Sequence, residues 1–138
     1  MLVLDTNVVS ELMKKSPHQN VSAWVNSRLG GELYTTAITV AEVLYGIRRL
    51  PHGGRRELLE TTARAVFGSF ESHIWAFDAD AATIYAEIVA NRERAGTPIS
   101  GFDAQIGAIC RSHAATLATR NVDDFQGIDL EIVDPWTS

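Results

Sequence analysis

Short apolar runs that alternate with longer stretches of helical spacing constrain this chain more than any other feature. Leu2-Val3-Leu4, Leu33-Tyr34-Thr35, Ile74-Trp75-Ala76-Phe77 and Thr116-Leu117-Ala118-Thr119 are short and nearly continuous in apolar or β-branched residues, and Leu130 to Val133 has a weaker form of the same character. Runs of this kind read as strands buried on both faces. Between them, apolar residues recur at helical spacing over Val8 to Lys14, Val21 to Leu29, Val40 to Leu50, Arg55 to Phe70, Ala81 to Arg94 and Ala104 to Ala114. Strands and helices in turn predict an α/β fold with a central parallel sheet of four to five strands flanked by helices. No repeat or low-complexity tract interrupts the chain, and only Gly53-Gly54 resembles a joint, so one domain over residues 1–138 is expected.

Composition then narrows the function. With 46% hydrophobic and 21% charged residues, the chain has enough apolar material for a core and does not carry the signature of disorder. No apolar run approaches the ~20 residues of a membrane span, and the opening run reaches Asp5 too soon for a signal peptide, so a cytoplasmic protein with no membrane partner is expected. The single Cys110 has no partner for an intramolecular disulfide and reads as a small core residue, with Trp24 and Trp75 as core anchors. A net charge of −5 argues against binding nucleic acid through bulk charge, so any such chemistry needs a local patch or a bound cation. There is no Gly-rich phosphate loop and no Gly-x-Ser-x-Gly elbow, and His18, His52, His73 and His113 lack metal-ligand spacing.

In doubly wound sheets, ligands bind beyond the carboxyl ends of the strands, which directs attention to Asp5-Thr6-Asn7 after the first strand and Thr119-Arg120-Asn121 at the end of the fourth. Asp5 reads either as a helix N-cap or as a ligand. Thr39-Val40-Ala41-Glu42 reads as a capping box, and core spacing of Val40, Val43, Leu44 and Ile47 leaves Glu42 on the opposite, solvated side. Ser100-Gly101-Phe102-Asp103 repeats the cap pattern, but Asp103 continues a stripe made of Ile106, Gly107 and Cys110, where a carboxylate needs a partner. Convergence of these acids on one site would suit a hard cation that takes oxygen ligands and neutralises a scissile phosphate. Arg48, Arg49, Arg55 and Arg56, with His52 between, form the main basic cluster and read either as solvated or as phosphate-positioning; Arg92 and Arg94 read as solvated helix charges.

Five motifs in order resemble those of PIN-domain proteins, specifically FitB-like, VapC-type toxins of bacterial type II toxin–antitoxin systems. They are Leu4-Asp5-Thr6-Asn7-Val8-Val9-Ser10-Glu11-Leu12, Ile38-Thr39-Val40-Ala41-Glu42-Val43-Leu44-Tyr45-Gly46, Asp103-Ala104-Gln105-Ile106-Gly107-Ala108, Thr119-Arg120-Asn121 and the ending Asp134-Pro135-Trp136. The resemblance implies a magnesium-dependent endoribonuclease, with manganese as a substitute. Asp5, Glu42 and Asp103 match the family's catalytic and metal-binding acids, and the fourth acidic position falls on Asn121, with Asp123 and Asp124 as nearby substitutes. Thr6, Asn7, Thr119 and Arg120 stand beside these positions as candidate substrate contacts. The resemblance further implies an RNA substrate, a cognate antitoxin through which operator DNA is contacted indirectly, and a homodimer. The other readings left open are a catalytically weak regulatory subunit acting with a DNA-binding antitoxin, and a metal nuclease with a housekeeping RNA or a DNA substrate.

Overall fold

In a computed structural model, which describes residues 1–28 and 30–138, five strands lie in the order β3-β2-β1-β4-β5 and every neighbouring pair is parallel. The strands are β1 (Leu2–Leu4), β2 (Leu33–Thr36), β3 (Ile74–Trp75), β4 (Thr116–Ala118) and β5 (Ile132–Val133). Six helices connect or cover them: α1 (Thr6–Leu12), α2 (Gln19–Asn26), α3 (Ala37–Arg48), α4 (Gly54–Phe70), α5 (Ala79–Arg94) and α6 (Gly101–Ser112). The expected Leu29 end of the second helix lies outside the described residues, and α2 begins two positions earlier than its apolar spacing suggested. No helix among the described residues is long and apolar enough to cross a membrane.

Alternation along β1 divides the core. Val3 packs with Leu117, Ile88, Ile106, Ile109, Cys110 and Phe125 on the α5–α6 side, whereas Leu4 packs with Val8, Val9, Val21, Trp24, Val43 and Ile47 on the other. Trp24 and Cys110 are therefore core residues, as expected. Trp75 is only half-buried, stacked between Tyr34 (4.2 Å) and His113 (3.7 Å) at the edge strand. The chain builds outward from β1 to β2 and β3, then returns to add β4 and β5 on the other side. That reversal makes the β1/β4 boundary the topological switch point of the sheet.

Three local expectations are corrected. Helix α3 starts at Ala37 because Thr36, in extended conformation, accepts the Thr39 N–H at 3.1 Å; Thr39 is thus inside the first turn and caps nothing. With Thr39 inside the helix, the buried stripe runs through Thr39, Val43 and Ile47, and Leu44 is exposed. Strand β3 stops at Trp75, short of Phe77, because Asp78 turns the chain into α5 by capping Ala81 N–H at 3.0 Å.

Gly107 lets α6 approach the loop after β4 closely. A Cβ there would fall 2.8 Å from Ile128 Cδ1 in the buried core. Gly107→Val is therefore expected to destabilise the fold by about 1–3 kcal/mol through overpacking. The test is a urea titration, read as a lower midpoint at unchanged slope.

Candidate active site

The polypeptide leaves β1 at Asp5, whose backbone N–H donates to Ala118 O at 2.9 Å and so ties this point to the end of β4. Asp5 caps α1: Oδ1 accepts the Thr6 N–H at 2.8 Å, while Oδ2 accepts the Thr119 hydroxyl at 2.7 Å and Asn7 Nδ2 at 3.4 Å. Capping and site placement, posed as alternatives, coincide in one carboxylate. Its side chain is only 3% exposed. Burial pushes its pKa up to about 6; the Thr119 and Thr6 hydrogen bonds pull the other way, and the charges of Asp103 and Glu42 raise it further.

Glu42 does not lie on a solvated face. It is half-buried, and Oε1 accepts the Thr6 hydroxyl at 2.8 Å, with Thr39 Oγ1 3.2 Å from that same hydroxyl. Asp103 sits in the first turn of α6, where Ser100 Oγ accepts its backbone N–H at 3.2 Å. The backbone makes the cap contact and the carboxylate is left to face its neighbours. Partial burial raises the Asp103 pKa, the Ser100 hydroxyl lowers it, and the charges of Asp124 and Glu42 raise it again. Glu42 thus acts electrostatically on both Asp5 and Asp103, and Asp124 acts on Asp103. Beneath them, burial drives the Cys110 thiol upward, with Asp5's charge adding to the effect, so it is an inert core thiol.

The two polar tripeptides are bonded to each other. Asn7 Nδ2 donates to Thr119 Oγ1 at 3.1 Å, Asn7 Oδ1 accepts the Arg120 N–H at 3.1 Å, and Thr119 Oγ1 also accepts the Asn121 N–H at 3.0 Å. Thr6, Asn7 and Thr119 spend their polar groups within the site, where they orient Asp5 and Glu42.

The PIN domain family model matches residues 2–130. The chain belongs to the PIN-domain family. Within it the likeness is to VapC-type proteins: the chain is 36% identical over 137 residues to VapC ribonuclease Y4jK of Sinorhizobium fredii, covering 99% of this chain and 98% of that one. It is 35% identical to toxin FitB of Neisseria gonorrhoeae, covering 99% of each. A solved structure of FitAB bound to an IR36 DNA fragment superimposes with a TM-score of 0.90 at 35% identity, over 99% of this chain and 96% of that one.

In this PIN domain the segment after β4 carries Asn121, Asp123 and Asp124 in or beside a 3₁₀ turn over Val122–Phe125. Asn121 is exposed and its side chain caps nothing, so the acid whose charge reaches Asp103 is Asp124. Arg120 places its guanidinium 5.1 Å over the Trp136 ring, and with Asp123, Asp124 and Asp134 it lines a cleft of roughly 330 Å³. Arg92 is not a free helix charge: Nε donates to Thr97 O at 2.6 Å, and Nη1 to Gln126 O at 3.0 Å and Asp124 O at 3.3 Å. It braces the Asp124 turn across more than thirty positions of chain, and no local pattern announces that. In the basic cluster Arg48 and Arg56 pair with Glu60, at 3.8 and 3.1 Å.

Asp5, Glu42 and Asp103 offer only oxygen donors, which suits a hard cation. No group of three His, Cys, Asp or Glu side chains among the described residues is close enough to hold a metal by itself.

Proposed function

We propose that this chain is a magnesium-dependent endoribonuclease that serves as the toxin of a type II toxin–antitoxin pair. The observation that carries the reading is that Thr6 ties Asp5 to Glu42 beside the β1/β4 switch point, while the charges of Glu42 and Asp103 both reach the buried Asp5. Mutually repelling carboxylates at a ligand-binding crevice call for a compensating cation. Full-length likeness to a protein named a VapC ribonuclease and to toxin FitB supports RNA as substrate and toxicity as outcome.

One or two of Asp5, Glu42 and Asp103 would hold the ion directly and the rest through water; when bound, it would neutralise charge on the scissile phosphate and lower the pKa of water. The chain's own residues set the geometry. Thr119 and the Thr6 N–H hold both Asp5 oxygens, the Thr6 hydroxyl fixes Glu42, and the Ser100 cap fixes the turn that presents Asp103. Water attacks phosphorus as it gives up a proton to a site carboxylate or to solvent, the bond to the leaving ribose oxygen breaks, and that oxygen takes up a proton from solvent. Asp124 completes the negative wall, and Asn121 offers a neutral amide oxygen beside it. Arg120 contacts the substrate backbone.

The cognate antitoxin is expected to direct a basic side chain at these carboxylates, displacing metal or substrate. The solved structure of FitAB bound to a DNA fragment supports an assembly that engages DNA; in it the antitoxin is expected to contact operator DNA, and this chain to reach DNA only through the antitoxin. The active form is a cytoplasmic homodimer. Induced expression should arrest growth, co-expression of its cognate antitoxin should restore growth, and RNA-end sequencing should show new, recurrent cut sites. Growth arrest with no new RNA ends would overturn the ribonuclease reading.

A further inference from the structure

A cleft of roughly 470 Å³ opens beside Glu42 and is walled by Ala41, Tyr45 and Phe102. Both aromatic side chains face solvent, Tyr45 at 64% and Phe102 at 51% exposure. They come from different helices, and each accompanies a carboxylate: Tyr45 follows Glu42 by three positions on α3, and Phe102 precedes Asp103 in the first turn of α6. Among the described residues neither ring stacks on another aromatic ring. Positive charge stands at the same place. The Arg49 guanidinium lies 5.5 Å over the Tyr45 ring, and Arg55 shares the adjoining cleft with Thr6, Ser10 and Glu42. Unlike Arg48 and Arg56, neither Arg49 nor Arg55 forms an ion pair among the described residues.

We propose that Tyr45 and Phe102 form a nucleobase site for a single-stranded RNA nucleotide adjoining the scissile phosphate, with Arg49 and Arg55 receiving the flanking phosphates. The proposal rests on the ribonuclease reading above. Unpaired bases expose a π-face that stacks on aromatic side chains, and arginines beside those rings neutralise the backbone. An acidic chain needs such a local arrangement, since its bulk charge repels RNA. The pairing of aromatic and arginine residues favours a nucleotide over a protein segment. The aliphatic groove of Val40, Leu44, Ile47 and Phe67 is a separate feature of the α3–α4 surface.

Fluorescence anisotropy of a short labelled single-stranded RNA, in EDTA so that it stays intact, tests this. Tyr45→Ala and Phe102→Ala should each weaken binding roughly 5- to 100-fold. Tyr45→Trp and Phe102→Trp should retain it, and Leu58→Ala, an exposed apolar residue away from the cleft, should have no effect. With magnesium restored, KM for cleavage should rise more than kcat falls. Wild type that binds and cuts RNA while both alanine variants match it would overturn the nucleobase site alone. Wild type that neither binds nor cuts would overturn the ribonuclease reading and this site with it. Alanine variants with normal RNA affinity but weakened binding of the co-expressed antitoxin would assign the patch to the protein partner, which also overturns the proposal.

Discussion

Asp5→Asn is expected to lower RNA cleavage on the order of 10³-fold while the chain stays folded, because it removes the most buried charge of the site. The same substitution should change the pH dependence of stability. The Asp5 carboxyl titrates at about 6 in the fold against ~3.9 unfolded, so the native state holds that proton more tightly. Its contribution is fully present below about pH 4 and is lost as pH rises through about 6, amounting to about 3 kcal/mol. Asp103, also raised, adds in the same direction. Metal-free wild type should therefore lose stability between about pH 4 and 6, and Asp5→Asn should flatten much of that slope. Asparagine does not simply recover the whole amount. Thr119 Oγ1 already accepts from Asn7 Nδ2 and the Asn121 N–H, so an amide at position 5 meets a hydroxyl with no free acceptor. That mismatch costs about 1–3 kcal/mol and offsets the relief of charge at neutral pH. Thermal melts in EDTA across this range decide the matter; an unchanged slope in the variant would remove Asp5 as its source.

Chelation should have the other large effect. EDTA is expected to stop RNA cleavage, and magnesium or manganese to restore it, with the melting temperature rising as magnesium is added. Binding to the native state alone stabilises by ~2.7 kcal/mol at a hundred times the dissociation constant. Asp103→Asn should blunt both responses. Its helix cap survives the change, because Ser100 Oγ accepts the backbone N–H of residue 103 and not a side-chain group. The variant should consequently melt at or above wild type in EDTA and gain little from magnesium. A full magnesium shift in Asp103→Asn would reject Asp103 as a ligand.

Much of this was legible before the fold was known, for reasons that can be named. Asp5 follows a buried run, and parallel sheets place such residues at the carboxyl-end crevice whatever else the chain does. Asp103 shares its helical stripe with Ile106, Gly107 and Cys110, all buried, so its inward direction followed from spacing. Glu42 was misplaced because Thr36 and Thr39 are equally good caps by type. Only the extended backbone at Thr36 and the burial of Thr39 choose between them, and with Thr39 rather than Leu44 on the buried stripe, Glu42 lies at the edge of that stripe within reach of Thr6.

By itself, then, the amino-acid order determined the strand–helix alternation, the two-faced core around β1 and the order of the PIN motifs, because these depend on hydrophobic spacing and on neighbours within a turn or two. Tertiary structure decided which hydroxyl holds which carboxylate, that Arg92 braces the Asp124 turn, and that the charge of Asp124 reaches Asp103. These contacts join residues from about 20 to 114 positions apart, and their energies depend on burial and distance, which no local pattern encodes.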